Sequence, residues 1–188
     1  QRTADFLRSR LLKTRGGFWL DATVYLNQSL DWVHRHQVEQ GAEYVGFHID
    51  SAGYGASGVP IVENWFMAAV PGSVFMADWH DRFMTINDYG SVDDYVAAIS
   101  RETDLTGVPA KMHTYLTMHI AALHVIQHRG IERYRLRLLR AVEGPFIYQH
   151  AMSWNPLYLG LFILYYRGRE APIVKYRGGE RSLIQGFG

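Results

Sequence analysis

Gly16-Gly17 constrains the fold of this chain more than any other feature of it. Ahead of the pair, from Thr3, a residue suited to an N-cap, to Arg15, the apolar positions Phe6, Leu7, Leu11 and Leu12 fall near helical spacing. Arg8, Arg10, Lys13 and Arg15 lie among them, so the segment reads as an amphipathic helix. Two glycines end it. Behind them Phe18-Trp19-Leu20 reads as a short buried strand, Asp21-Ala22-Thr23 as a polar turn, and Val24-Tyr25-Leu26 as a second strand. A helix, a glycine stop and two strands at one end commit the chain to a mixed α/β fold, with an acid held where the first strand breaks.

Downstream of Pro60, Ile61 to Val70 reads as a strand closed by Pro71-Gly72 and leading into a helix over Ser73 to Phe83. Periodicity predicts further helices over Ser91 to Ser100, Lys111 to His128 and Ile131 to Val142. The second of these carries Met112, Leu116, His119, Leu123 and Ile126 on one face. Leu161 to Tyr166 and Ile173 to Tyr176 read as strands flanking the basic turn Arg167-Gly168-Arg169. No internal repeat or linker divides residues 1–188, so a single domain is expected.

Composition narrows the function. Hydrophobic residues make up 48% of 188 positions, enough for one core burying roughly 70% of the unfolded surface. Nineteen Lys and Arg against 18 Asp and Glu leave a net charge of +1, without the bulk positive field that drives nucleic-acid binding. The absence of cysteine excludes disulfides, thiolate zinc sites, iron–sulfur ligation and a cysteine nucleophile. The most apolar stretch, Pro156 to Tyr166, is shorter than the roughly 20 residues of a membrane-spanning helix. The chain opens on Gln1, and Gln1 to Arg15 reads as the interior of a domain, so the natural protein is expected to begin further upstream.

An acid at the end of a strand, just after a Gly-Gly that lets backbone approach a ligand, suits a divalent cation and a phosphate. Mg²⁺ and Mn²⁺ take hard oxygen ligands and commonly use one or two carboxylates plus substrate phosphates. Asp is also a routine turn residue, and Asp5 with Arg8 is equally readable as an exposed helix ion pair. His124 and His128 stand at i and i+4, a spacing that can hold zinc, but no third ligand accompanies them, and a hydrogen-bonded or solvated histidine is the commoner case. The cluster Arg167, Arg169, Lys175, Arg177 and Arg181 could meet phosphate or an anionic membrane surface, a solvated face being the more frequent explanation.

Ala4-Asp5-Phe6-Leu7-Arg8 and Leu11-Leu12, followed by Gly16-Gly17-Phe18-Trp19-Leu20-Asp21-Ala22-Thr23, strongly resemble the signature of glycosyltransferases with a DXD-type sugar-binding region. The match is nearest to their capsular polysaccharide synthesis branch, related to the initiating mannosyltransferases of yeast and the catalytic core of clostridial glucosylating toxins. Glu63-Asn64-Trp65-Phe66-Met67-Ala68-Ala69 resembles a second block of that branch, and Lys175-Tyr176-Arg177 more weakly its C-terminal block.

The resemblance implies a GT-A-like fold lacking its first βαβ units, which recognise the nucleotide base. It implies transfer of a hexose from a nucleotide-diphosphate sugar to a glycan or polysaccharide acceptor, with retention of configuration. On this mapping Asp5 and Arg8 bind the donor sugar or its phosphate and Asn64 lines the sugar pocket. Asp21 holds Mn²⁺ or Mg²⁺, with Thr23 beside it in place of the second acid; the cation and Arg8 stabilise charge on the leaving diphosphate, which makes Asp21 and Arg8 the catalytic candidates. His80, between Asp78 and Asp81, is a candidate for acceptor contact. Trp154 is expected to stack on a sugar ring, whereas Trp19 and Trp65, inside apolar strands, are expected in the core. A cytoplasmic enzyme with peripheral membrane association fits the resemblance, with the Golgi lumen as the other compartment. The alternative is a noncatalytic glycan-binding or scaffold domain derived from such an enzyme.

Overall fold

Helix α1 (Arg2–Arg15) ends where the amide of Gly16 donates to the Leu12 carbonyl at 2.9 Å. Gly16 and Gly17 then take φ of +65° and +95°, conformations that L side chains rarely adopt. A Cβ on Gly16 would lie 2.6 Å from the Pro71 nitrogen and 2.8 Å from the Ala69 carbonyl, whereas a Cβ on Gly17 would meet nothing within 4 Å. The close approach the pair allows is therefore to the chain's own backbone rather than to a ligand. It sets the helix against the end of the strand that β1 joins.

The computed structural model describes residues 2–49, 58–165, 171–177 and 180. The elements after α1 are β1 (Gly17–Leu20), β2 (Val24–Leu26), α2 (Asp31–Glu39), β3 (Tyr44–Ile49), β4 (Ile61–Ala69), α3 (Val74–Met84) and α4 (Val92–Ile99). They continue with α5 (Thr117–Arg129), β5 (Leu136–Arg140), α6 (Ile147–Ala151), α7 (Pro156–Tyr165) and β6 (Ile173–Lys175). Four strands form a mixed sheet in the order β1-β4-β3-β5, antiparallel except for the β3–β5 pair. A second, two-stranded sheet joins β2 to β6.

Helices α1, α3 and α5 cover one face of the larger sheet, burying Leu12, Met67, Phe75, Trp79 and Met118 in one cluster. The Trp79 indole N–H finds the Met118 carbonyl at 2.8 Å, so its polar edge is satisfied inside this core. On the opposite face Val33 of α2 packs with Phe47, Trp65, Phe66, Phe146 and Ile173. Trp65 lies nearly parallel to Phe47, ring centroids 5.2 Å apart. Helix α3 begins at Ser73, whose hydroxyl accepts from the Met76 amide, while the buried Glu43 carboxylate accepts from the Phe75 amide.

Three sequence expectations are corrected. Ile131 to Val142 is a 3₁₀ turn over Ile131–Arg133 followed by strand β5 rather than a helix. Leu136 and Leu138 pack with the helical core and Leu139 with the opposite one. A strand with apolar residues on both faces loses the alternation that would have marked it. Leu161 to Tyr165 belong to helix α7 rather than a strand. Pro156 opens that helix and the Asn155 carboxamide oxygen accepts from the amides of Leu157 and Tyr158, a start signal stronger than the apolar run that follows. Helix α5 begins only at Thr117, and it buries residues all round rather than along one stripe. The turn Arg167-Gly168-Arg169 lies outside the described residues. Among the described residues no helix is long and apolar enough to cross a membrane.

His124 and His128 of α5 stack with ring centroids 4.1 Å apart, bordering a cavity of about 350 Å³ that Asp78, Asp81, Arg82 and Arg129 also line. His124 Nδ1 bonds to the Thr103 hydroxyl and His128 Nε2 to the Glu102 carbonyl. Burial, reinforced by Arg82, His128 and Arg129, pushes the His124 pKa down to about 4.

Two expectations follow from this packing. Gly16→Ala loses about 2 kcal/mol or more, from left-handed backbone strain plus the collision with the β4 end, and Gly17→Ala loses less; urea unfolding of both variants checks the order. Equal losses would contradict the close approach. An unfolded histidine takes up its proton near pH 6.5, while folded His124 stays neutral down to about pH 4. The folded state therefore loses stability as pH falls through that window. His124→Asn should show a smaller drop in urea midpoint between about pH 7.5 and about pH 5 than the parent protein; an identical drop would show that His124 does not contribute.

Candidate functional site

A bulge in β4 builds the site. Between the pairs Gly46↔Met67 and His48↔Val62, β3 advances two residues while β4 advances five, so Glu63, Asn64, Trp65 and Phe66 are not in step with β3. Bulges re-aim side chains and free backbone groups from the ladder. Here the freed Asn64 carbonyl accepts from Arg8 Nη1 at 2.5 Å, and the Trp65 carbonyl accepts from the Asp21 amide at 2.9 Å. The bulge thus ties α1 to the turn that follows β1.

Arg8 is buried, and its guanidinium reaches Asp5 Oδ1 at 3.4 Å and Asp21 Oδ1 at 3.2 Å while stacking 4.9 Å from the Trp19 ring centroid. Asn64 Nδ2 donates to Asp5 Oδ1 at 3.3 Å. The Asp5–Arg8 pair is therefore an internal part of the fold rather than an exposed helix pair. Burial pushes the Asp5 carboxyl above its ordinary range, opposed first by the Arg8 charge and then by His119.

Asp21 is about a quarter exposed, at 28% of its side chain, and three donors hold it. Oδ1 accepts from the Trp19 indole at 3.1 Å and pairs with Arg8; Oδ2 accepts from Lys175 Nζ at 3.0 Å. Lys175 Nζ also donates to the Thr23 hydroxyl at 2.5 Å and lies 5.7 Å from the Trp65 ring centroid. Asp5, Arg8, Asp21, Thr23 and Asn64, all singled out in the sequence, are thus brought into one network.

Trp154 is not in that network. It is 39% exposed, with the Arg177 guanidinium 4.7 Å over its ring. Ring contacts run from it to Phe146 and from Phe146 to Trp65, which Lys175 crosses. Trp19 is only partly buried and its indole N–H serves Asp21, so it belongs to the site and not to the core alone. His80 is turned inward, with Nδ1 2.9 Å from the buried Ser9 hydroxyl, and so joins α3 to α1 instead of facing an acceptor.

Glu63, His119 and Tyr44 come to the site from structure alone, and Lys175, read in the sequence only within a basic cluster and a weak C-terminal block, joins them. Glu63 Oε2, on the bulge, lies 3.3 Å from His119 Nε2 of α5, and the buried His119 Nδ1 has no partner among the described residues. His119 is the polar exception in an apolar stripe, which is the signal that could have marked it. Tyr44 lies across Gly46, where a Cβ would come 2.7 Å from its ring, and its buried hydroxyl also has no partner among the described residues. Burial and the nearby Glu63 raise its pKa, so the phenol keeps its proton. Lys175 reaches the turn because β6 pairs with β2 in the register Val24↔Lys175.

A divalent metal needs a set of oxygen ligands, and Asp21 with Thr23 supplies one carboxylate and one hydroxyl. Both already share the Lys175 ammonium. Among the described residues no group of three His, Cys, Asp or Glu side chains is placed to hold a metal ion. The residues present do not fit a protein-held Mn²⁺ or Mg²⁺ at this turn. They make instead a cationic corner, Arg8 and Lys175 on either side of one accessible carboxylate.

Comparison with known proteins bears on the family of the chain. A glycosyltransferase of Aspergillus fumigatus, afumC, is 36% identical to this chain over 91 residues, which cover 47% of this chain and 22% of that protein. The chain thus spans about a fifth of the length of the curated relative it matches. No solved structure matches. The family model described as capsular polysaccharide synthesis protein matches residues 1–137, a span that takes in Asp5, Arg8, Asp21, Thr23 and the β4 bulge. With most of its length and nearly all of its buried charge network inside that match, the chain belongs to the capsular polysaccharide synthesis protein family.

Proposed function

We propose that this chain carries the donor site of a glycosyltransferase that moves a hexose from a nucleotide-diphosphate sugar to a hydroxyl of a growing glycan. The observation that carries the reading is the Asp21 carboxylate held between Arg8 and Lys175 at the exposed end of a buried network that also contains Asp5 and Asn64. A guanidinium fork matches diphosphate oxygens, and carboxylate and carboxamide groups suit sugar hydroxyls. The membership of the chain in its family and its likeness to a fungal glycosyltransferase support the same class of reaction.

In this reading the bond between the sugar C1 and the diphosphate oxygen breaks with its electron pair going to the phosphate. The acceptor oxygen bonds to C1, and its proton passes to the departing phosphate oxygen. Delivery of the acceptor on the face the diphosphate leaves gives retention without a protein nucleophile. Arg8 stabilises the charge that gathers on the diphosphate, in a setting where water is largely excluded. Asp5 and Asn64 orient the sugar, and Trp154, exposed and already stacked under Arg177, offers an acceptor ring an aromatic face. A GT-A arrangement and a cytoplasmic compartment belong to this proposal. The expected Mn²⁺ or Mg²⁺ would enter it only by displacing Lys175 from Asp21 and Thr23.

Asp21→Asn tests the reading, because it removes the charge that holds Arg8 and Lys175 while keeping the volume. The expected result is a loss of about 10²–10³ in transfer or donor-hydrolysis rate, with a lowered urea midpoint from the weakened Arg8 pair and an unchanged circular dichroism spectrum without denaturant. A folded variant that turns over at the parent rate would exclude Asp21 from the chemistry. A parent protein that binds glycans and turns over no nucleotide sugar would favour the noncatalytic alternative.

A further inference from the structure

The turn that the sequence offers to a metal holds a cation of the chain's own. Lys175 is buried, with 9% of its surface exposed, and its backbone is fixed on both sides. Its amide donates to the Pro145 carbonyl at 3.0 Å, its carbonyl accepts from Gln149 Nε2 at 2.6 Å, and the next amide, of Tyr176, donates to the Thr23 carbonyl at 3.0 Å. The side chain then runs past Trp65 and ends on Asp21 and Thr23. An ammonium has three N–H donors, and among the described residues Asp21 and Thr23 take two of them. A third would serve a ligand oxygen at the exposed end of the network.

We infer that Lys175 is the fixed cation of this site, taking the place a divalent metal fills beside such a carboxylate, so that a diphosphate binds to Arg8 and Lys175 without Mn²⁺ or Mg²⁺. The inference rests on the reading of the site as one for a diphosphate sugar. It also explains Thr23. A second acid at that position would surround the ammonium with two carboxylates and cancel its attraction for phosphate, whereas a hydroxyl accepts the same hydrogen bond without adding charge. When the sugar C1–O bond breaks, the electron pair moves onto the phosphate oxygen and the acceptor's proton follows it. Lys175 keeps its own proton throughout and acts by charge and hydrogen bonding. Unlike a metal, it needs no assembly from solution, because the β2–β6 pairing and the Gln149 contact hold it in place.

Calorimetric titration with inorganic pyrophosphate, in EDTA and again in Mn²⁺, decides between the two cations. The parent protein should bind pyrophosphate in EDTA, with an affinity that Mn²⁺ changes by less than about threefold. Lys175→Met should bind about tenfold or more weakly in EDTA, the loss of one charged hydrogen bond. It should regain affinity in Mn²⁺, which then has Asp21 and Thr23 to itself, while Lys175→Arg keeps metal-free binding. Pyrophosphate binding by the parent that requires Mn²⁺, or Lys175→Met binding as tightly as the parent in EDTA, would overturn the inference. If Lys175→Met loses its circular dichroism spectrum, the parent's comparison of EDTA with Mn²⁺ decides alone. Titration with a panel of nucleotide sugars separates the two readings. Metal-free pyrophosphate binding without any nucleotide-sugar binding keeps the lysine site and removes the transferase, whereas nucleotide-sugar binding that demands Mn²⁺ keeps the transferase and removes the lysine role.

Discussion

A guanidinium taken out of water must be met by the protein on every side, and Arg8 is the group whose solvation organises this molecule. It lies on α1, but its partners come from elsewhere: the Asp21 carboxylate from the turn after β1 and the Asn64 carbonyl from the β4 bulge. The bulge supplies a carbonyl that a regular ladder would have spent on β3. Gly16 supplies the close approach that lets α1 sit against the end of β4. Removing any one of these partners would leave a buried charge short of compensation, so helix, turn and bulge depend on one another.

The same constraint explains why the site lies at one end of β1. Asp21 stands where the strand leaves the sheet, its amide still bonded to β4 and its carboxylate turned outward. Its inner oxygen is committed to Arg8 and Trp19, and its outer oxygen to Lys175. Asp5 and Asn64 are thus linked to an accessible edge through a chain of hydrogen bonds and ion pairs. A ligand with its own negative charge meets Lys175 there with Arg8 behind Asp21, two cations that are already oriented, which spares it the cost of ordering them.

Much of this was legible in the sequence, for reasons that are local. The Gly-Gly stop, the helical spacing before it and the polar turn after it are encoded within a few residues, and α1, β1 and β2 follow them. Asp5, Arg8, Asp21 and Asn64 were legible through the resemblance of two short blocks, although nothing in their spacing said that Asp5 and Arg8 are buried. The rest depends on contacts that local pattern does not carry. Strand β5 lies beside β3 with apolar residues on both faces, and so gave no alternation. Helix α7 was masked by an apolar run whose start signal, Asn155 followed by Pro156, is polar and precedes it. Lys175 lies 154 positions from the Asp21 it contacts, and only the β2–β6 pairing brings them together. His119 was visible as an odd residue in an apolar stripe, but its partner Glu63 required the bulge.

In the function proposed for this chain, the Arg8–Asp21–Lys175 corner receives a diphosphate. Hydrogen exchange of the whole chain with and without saturating pyrophosphate, in EDTA, tests it most directly, because it reports where the anion acts as well as whether it binds. Slower exchange is expected in the turn over residues 21–24, in the β4 bulge over residues 63–65 and in β6, with α4 unchanged. Protection confined to other elements, or none in the turn and the bulge at saturation, would contradict it.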